Sequence, residues 1–221
     1  MIEAWRDPRL RPVFWASITL GSAVGVFGFV FGVAAVSAGA TVVQACAMSL
    51  LVFTGASQFS AVGVIAAGGT TASALGGALL LASRNAVYGL TMARRIPGSL
   101  GGRLIAAQLT IDESTAMAAA QDDPHAQRAA FWITGISVYI FWNLATLLGA
   151  LVGTAIDPTK FGLDAAFPAG FVAMLWPLLR DGRGRLAAAC GAVICLSLIP
   201  FLPVGVPILC ASVAVLVGVR Q

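Results

Sequence analysis

The feature that most constrains this sequence is a run of 72 residues, from Pro12 to Ser83, without a single Asp, Glu, Lys, Arg or His. Spanning the ~30 Å hydrocarbon layer of a membrane takes only about 20 apolar residues. Over the whole chain 59% of residues are apolar and 10% charged, whereas soluble domains carry about 25% charged residues. A water-soluble globule is excluded. The stretches do not alternate polar and apolar residues as barrel strands do, so the sequence predicts an all-α polytopic membrane protein.

Turn-forming residues and charges divide the chain into apolar blocks. The blocks are residues 13–36, 41–67, 72–93, 104–120, 129–155, 166–179, 186–199 and 204–219. We expect them to form a single transmembrane transporter domain, residues 1–221.

The placement of arginines predicts how many blocks cross the membrane, because cytoplasmic loops are rich in Lys and Arg. The basic residues within 1–11 and 94–103 share one side only if block 41–67 enters and leaves on the same side. This block would then be a hairpin or re-entrant segment, broken near Thr54 and Gly55.

Block 104–120 carries Gln108, Asp112 and Glu113 and would be costly as a lipid-facing span, so we expect it not to cross. Prolines at 200, 203 and 207 split the last apolar stretch into two short spans. The chain therefore has about six net crossings plus two irregular or re-entrant segments. Both termini are predicted in the cytoplasm and residues 156–165 outside.

A strip of small residues marks the first span. Gly21, Gly25, Gly28 and Gly32 follow one another in steps of four, three and four, which confines them to one narrow face of a helix. Such faces let another helix approach closely, so a helix-packing role is favoured. The alternative is that this stretch unwinds and offers its backbone to a substrate.

The sequence FTGASQF, residues 53–59, predicts a broken helix. Gly55 lowers helix propensity, Thr54 and Ser57 can cap a helix end, and Gln58 is a donor and acceptor deep in an apolar block. A half-helix that starts here would direct N–H groups, such as that of Ala56, at a carboxylate. The alternative is an ordinary kink packed with small residues.

Arg84 lies well inside block 72–93, where an arginine costs about 2.5–3.5 kcal/mol at the bilayer centre. It must therefore face protein or water. Asn85 follows it and Tyr88 falls one turn later on the same helix face. Either Arg84 pairs with a buried acid, or this group of side chains captures an anion.

Asp112 and Glu113 are the only acids within any apolar block. A carboxylate enclosed by protein suits proton coupling or the binding of an ammonium group. The alternative is a structural salt bridge with Arg84 or with loop arginines.

No enzyme, cofactor or metal signature is present. The one histidine, His125, lies in the polar stretch QDDPHAQR, and the four cysteines form no C-x-x-C pair. The basic residues form short clusters between apolar blocks, which is typical of membrane topology and not of a nucleic-acid surface.

Five stretches, taken together and in order, resemble the AzlC family, the large subunit of bacterial two-component exporters of branched-chain amino acids. They are GVFGFVFG at 25–32, FTGASQF at 53–59, RNAVYG at 84–89, TIDES at 110–114 and FGLDAAFPAGFVAML at 161–175. The resemblance implies a multi-pass permease of the bacterial inner (cytoplasmic) membrane that exports large neutral amino acids. It also implies a small AzlD-like membrane subunit as partner.

A zwitterionic substrate needs an anion site, a cation site and an apolar pocket, and the residues singled out could supply each. Arg84 with the amides of Gly55 to Ser57 would take the carboxylate, and Asp112 would take the ammonium or the coupling proton. The apolar pocket would consist of Phe53, Phe59 and Tyr88. A scaffold or channel-like subunit of a membrane complex is the alternative, and such a subunit would not need buried charges.

Overall fold

The computed structural model describes residues 7–155 and 178–219, together with a few residues between these ranges. Those few are Lys160, Gly162, Ala165, Val172, Leu175 and Trp176. The described part of the chain is all-helical and contains no strand. The all-α expectation is confirmed for this part. Most of block 166–179, the predicted external loop and the extreme termini lie outside it.

The helices follow the predicted blocks along the chain. In order they are α1 Arg11–Ser37, α2 Val42–Val52, α3 Ala56–Ala66, α4 Thr71–Arg95, α5 Leu100–Gln108, α6 Asp112–Ala119, α7 Pro124–Gly153, α8 Gly182–Leu198, α9 Val206–Ala211 and α10 Val215–Val219. Two short 3-10 turns, Leu178–Arg180 and Ser212–Ala214, precede α8 and α10. The expected break at the C-terminal prolines falls between α8 and α9.

Local side chains explain where several helices begin. Thr41 caps α2 through a reciprocal capping box with Gln44, and Ser99 caps α5. Asp123 accepts a hydrogen bond from the backbone N–H of Ala126 at the start of α7. These caps satisfy N–H groups that have no partner within their own helix.

The centre of the fold is the long contact between α1 and α7. All four glycines of the strip, Gly21, Gly25, Gly28 and Gly32, are buried against α7. A Cβ atom built on Gly28 would lie 2.7 Å from the carbonyl oxygen of Trp142, so the two backbones touch directly. The absence of side chains on this face is what permits the approach.

Hydroxyl groups join the same two helices. The hydroxyls of Ser17 and Thr134 are 2.7 Å apart, and Ser137 donates to the carbonyl oxygen of Ser17 at 3.0 Å. Further along, Thr146 donates to the carbonyl oxygen of Gly28 at 3.2 Å. Small residues and interhelical hydrogen bonds are the contacts that hold helices together in lipid, where apolar burial gives no drive.

Two of the described helices, α1 and α7, are long and apolar enough to cross a membrane, judged by length and composition. α4 has 25 residues but carries Arg84, Arg94 and Arg95. The number of crossings, six by sequence, stays a prediction. Both segments expected to be irregular are broken: block 41–67 into α2 and α3, and block 104–120 into the end of α5 and α6.

We predict that Gly28→Leu lowers the free energy of unfolding by about 1–3 kcal/mol or more, because the new side chain meets backbone that cannot rotate away. Thermal unfolding of the purified protein in detergent measures this. Ala23→Leu adds similar bulk on the exposed face of the same helix and should leave the unfolding temperature unchanged. Equal behaviour of the two variants would contradict the packing role of the strip.

Candidate functional site

The break between α2 and α3 comes at residues 53–55, where the sequence predicted it. Each half has 11 residues, a length of about 16 Å, roughly half the hydrocarbon thickness. A helix end leaves carbonyl groups without intrahelical partners, and in lipid each of these must be satisfied by protein.

Side chains from other helices donate hydrogen bonds to the free carbonyl groups at the end of α2. The amide of Gln108 donates to the carbonyl oxygens of Leu50 at 2.9 Å and of Leu51 at 3.4 Å. The phenol of Tyr139, on α7, donates to the Leu50 carbonyl at 3.1 Å. The end of α2 is therefore tied both to α7 and to the last residue of α5.

Gln58 connects the two halves of the broken helix. Its amide oxygen accepts from the N–H of Gly55 at 3.1 Å, and its amide nitrogen donates to the carbonyl oxygen of Met48 at 3.2 Å. The side chain is fully buried. Gly55 has φ +61°, a conformation that strains any residue with a Cβ atom. The hydroxyls of Thr54 and Ser57 also contact each other.

Aromatic rings surround the start of α3. Phe59 packs edge-on against both Phe31 and Trp142, with ring centroids 5.6 and 6.1 Å away. Phe53 instead packs against Tyr139, at 4.9 Å. The ring of Trp142 also borders Gly55, and its buried Nε1 has no hydrogen-bond partner in the described part of the chain.

Arg84 and Asp112 form an ion pair, with Nη1 and Oδ2 2.7 Å apart and each side chain about one third exposed (34% and 32%). The pair joins α4 to the first residue of α6. Ser114 fixes this start by accepting from the N–H of Ile111 at 3.1 Å and donating to the carbonyl of Leu109 at 2.6 Å. The pairing of the arginine with an acid, one of the alternatives from the sequence, is formed.

The ion pair leaves hydrogen-bonding capacity unused. Arg84 Nε, Asp112 Oδ1 and Thr115 Oγ1 are buried atoms without a partner among the described residues. Nearby hydroxyls behave differently: Thr110 donates to the carbonyl oxygen of Ala106 at 2.7 Å, four residues back, as hydroxyls inside helices commonly do. The contact between α4 and α6 therefore contains one donor, one acceptor and one hydroxyl that have no hydrogen-bond partner among the described residues; we call these groups open.

The other predicted polar residues lie close to this pair. Tyr88 lies on α4 near both Asp112 and Arg84, and Glu113 follows Asp112 in the first turn of α6. Asn85 is half-buried on α4 next to Arg84. The three aromatic residues predicted to form one apolar pocket therefore lie in two places. Phe53 and Phe59 line the helix break, whereas Tyr88 lies near the ion pair.

The break and the ion pair lie at a similar depth. α3 and α4 are joined by a short turn and pack against each other, with Gly77 facing Ser60. Arg84 is two turns beyond Gly77 on the same helix face, about 10 Å along α4. The start of α3 is about 6 Å from Ser60 in the same direction. This register brings Arg84 level with the break.

Four contributors to the site were missed from sequence: Trp142, Tyr139 and Asn143 on α7, and Thr115 on α6. Asn143 accepts a hydrogen bond from Ser49 at 2.7 Å and donates to the carbonyl of Tyr139 at 2.8 Å. A sequence signal for Asn143 was available, since it is the one carboxamide in block 129–155.

The described part of the chain is all-helical, with a broken helix and a charged pair inside its apolar segments, and these are features of a membrane transport protein. Comparison with protein families gives a match to the family described as AzlC protein over residues 19–156, more than half of the chain. The chain belongs to the AzlC family, a family of transport-related membrane proteins. The matched region extends from α1 to just beyond α7 and so contains every residue of the site. Searches of curated proteins and of solved structures gave no match.

We predict that Gln108→Leu lowers the free energy of unfolding by about 1–3 kcal/mol, because the Leu51 carbonyl loses its side-chain donor and the Leu50 carbonyl keeps only that of Tyr139. Thermal unfolding in detergent again provides the measurement. Gln121→Leu is the matched control, since the Gln121 amide reaches only the Met117 carbonyl one turn back in its own segment. If both variants unfold at the wild-type temperature, Gln108 does not support the break.

Proposed function

We propose that this chain is a permease that exports branched-chain or other large neutral amino acids across the bacterial inner membrane. It works with a small AzlD-like membrane subunit and exchanges substrate for protons. The observation that supports this most directly is the open donor of Arg84 beside the open acceptor of Asp112. A zwitterion carries the complementary pair, an acceptor carboxylate and a donor ammonium.

The carboxylate of the substrate would bind Arg84, whose planar guanidinium offers several donors at once. The N–H groups of Ala56 and Ser57 at the start of α3 favour an anion at the same depth. Both features therefore select a substrate with a free carboxylate.

The ammonium would donate to the free Oδ1 of Asp112 and to the hydroxyl of Thr115, with Glu113 adjacent. Substrate entry then exchanges one ion pair for two, without net burial of charge. This exchange matters because an uncompensated charge is costly inside a membrane.

Competition at Asp112 gives a simple coupling scheme. A carboxylate oxygen that accepts an ammonium cannot carry a proton at the same time. Binding of substrate therefore releases the proton, and return of the empty site carries a proton the other way. This is the stoichiometry of an exchanger that uses the inward proton gradient for export.

Selectivity for large side chains would come from apolar contact near the helix break. Phe53 and Phe59 are the nearest predicted apolar contributors, and both belong to the main hydrophobic cluster. Each additional buried CH₂ contributes about 0.8 kcal/mol. Leucine, isoleucine and valine should therefore be preferred over glycine or alanine.

The functional test measures efflux of labelled leucine from cells that lack their own exporters and express the chain with its partner subunit. Arg84→Lys keeps the charge but loses the planar fork, so apparent substrate affinity should fall about 10-fold or more. Asp112→Asn cannot titrate and should abolish efflux driven by a pH gradient. Normal affinity and normal coupling in both variants would mean that the pair is structural and that the proposed site is wrong.

Thr115→Val tests the site without disturbing the ion pair, because it replaces the open hydroxyl with a methyl of similar size. It should weaken leucine binding, and Thr115→Ser should restore it. Thr91→Val is the matched control on α4, where the hydroxyl bonds the carbonyl of Val87 in its own helix. A loss of activity in the control equal to that in Thr115→Val would point to a general structural effect.

We also propose the topology given by the arginines, with residues 94–103 on the cytoplasmic side and both termini inside. A cysteine introduced at Ser99 should stay unlabelled by an impermeant thiol reagent in intact cells and react after permeabilisation. A cysteine at position 160 is the external counterpart and should react without permeabilisation. External labelling at Ser99 would contradict the assignment of block 41–67 as a segment that does not cross.

A further inference from the structure

A groove separate from the ion pair lies between the C-terminal part of α4 and α5. Its volume is about 330 Å³, at the lower end of the range for ligand sites. Its lining is mostly apolar and includes Met92, Ile96, Leu100 and Leu104. Leu100 and Leu104 are strongly exposed, so the groove opens to the surroundings of the protein.

One charged residue, Arg103, lines the groove. No described residue forms an ion pair with it. Arg94 and Arg95 end α4 near by, and Arg128 donates to the carbonyl oxygen of Arg95 at 3.2 Å, which adds a further positive charge at this end. The groove therefore combines an apolar floor with an excess of positive charge.

Gly89 keeps the inner end of the groove open. A Cβ atom at this position would have no neighbour within 4 Å. Gly89 therefore does not serve close helix packing, unlike Gly28. It is six residues before Arg95, about 9 Å deeper along α4. An occupant held by Arg103 could thus extend an apolar chain past Gly89, away from the basic end.

We propose that this groove binds one anionic phospholipid, with the phosphate at Arg103 and an acyl chain along Gly89. The occupant must carry a net negative charge and an apolar chain together, which a lipid of zero net charge or an apolar helix does not. The proposed topology places this end at the cytoplasmic leaflet, where anionic headgroups attract basic residues. The site is independent of amino-acid transport and needs none of the residues of the ion pair.

The test is native mass spectrometry of the full chain in detergent, with dioleoyl phosphatidylglycerol and dioleoyl phosphatidylethanolamine at equal concentration. The wild-type protein should retain one phosphatidylglycerol about five-fold in preference, the factor expected for one arginine at an anionic headgroup. Arg103→Gln should remove the preference. Gly89→Leu adds bulk at the inner end of the groove, where a Cβ atom meets nothing within 4 Å, and should reduce retention of both lipids.

Two matched controls accompany these variants. Arg94→Gln removes a neighbouring charge outside the groove lining. Gly101→Leu adds the same bulk as Gly89→Leu at an open position on α5 that does not line the groove. Both should bind lipid as the wild type does. An equal loss in Arg94→Gln and Arg103→Gln would show diffuse charge attraction and overturn the site, as would a wild type without preference.

A protein occupant is the remaining outcome, and it can be detected directly. A photoreactive residue at position 104, in intact membranes, should crosslink to lipid. Crosslinking to a polypeptide instead would show that another subunit covers the groove, and the proposal would be wrong.

Discussion

The direct contact of the α1 and α7 backbones is the constraint on which the rest of the structure depends. Lipid tails are as apolar as leucine, so helices in a membrane gain little from burying apolar side chains against each other. Glycines on one helix and hydroxyls on the other provide a contact that lipid cannot replace. Once α7 is fixed in this way, its Tyr139, Trp142 and Asn143 are all fixed beside α2 and α3.

The helix break depends on α7 and α5, which supply hydrogen-bond donors to the backbone carbonyls at the end of α2. An interrupted helix exposes backbone groups that water would solvate in a soluble protein and that lipid cannot. Gln108 and Tyr139 donate hydrogen bonds to carbonyls at the end of α2, and Gln58 on α3 donates to a carbonyl of α2, which joins the two half-helices. The same Gln108 ends the helix that leads to Asp112. The break and the acidic end of the charged pair are therefore connected by a few residues of chain.

Much of the helical framework was predictable, because charge-free runs, prolines and glycines are local signals. The broken segment was placed correctly near Thr54 and Gly55 for that reason. The partners of the break were not predictable, since Tyr139 and Leu50 are 89 residues apart and their meeting depends on how α7 is rotated. Trp142 showed the same limit, because an aromatic residue in an apolar block gives no sign of which helix it faces.

The partner of Arg84 could not be predicted from the sequence around it. The cost of burying Arg84 required a partner, and either of the two acids within the apolar blocks, Asp112 or Glu113, could have met that need. Only the fold distinguishes them, by bringing α4 against the start of α6. The unused donor and acceptor on the pair could not be read from sequence at all, because they follow from the single contact the two side chains make.

The neutral amide of Gln58 has an electrostatic consequence for the half-helix in whose first turn it lies. Helix starts are often capped by aspartate, whose charge offsets the positive potential of the exposed N–H groups. At α3 the N-cap residue is Gly55, which has no side chain, and Gln58 accepts from the Gly55 N–H through an uncharged oxygen while its nitrogen donates to Met48 in the other half-helix. The positive end of α3 therefore keeps its field inside the apolar core, directed at whatever negative group comes to lie beside Gly55.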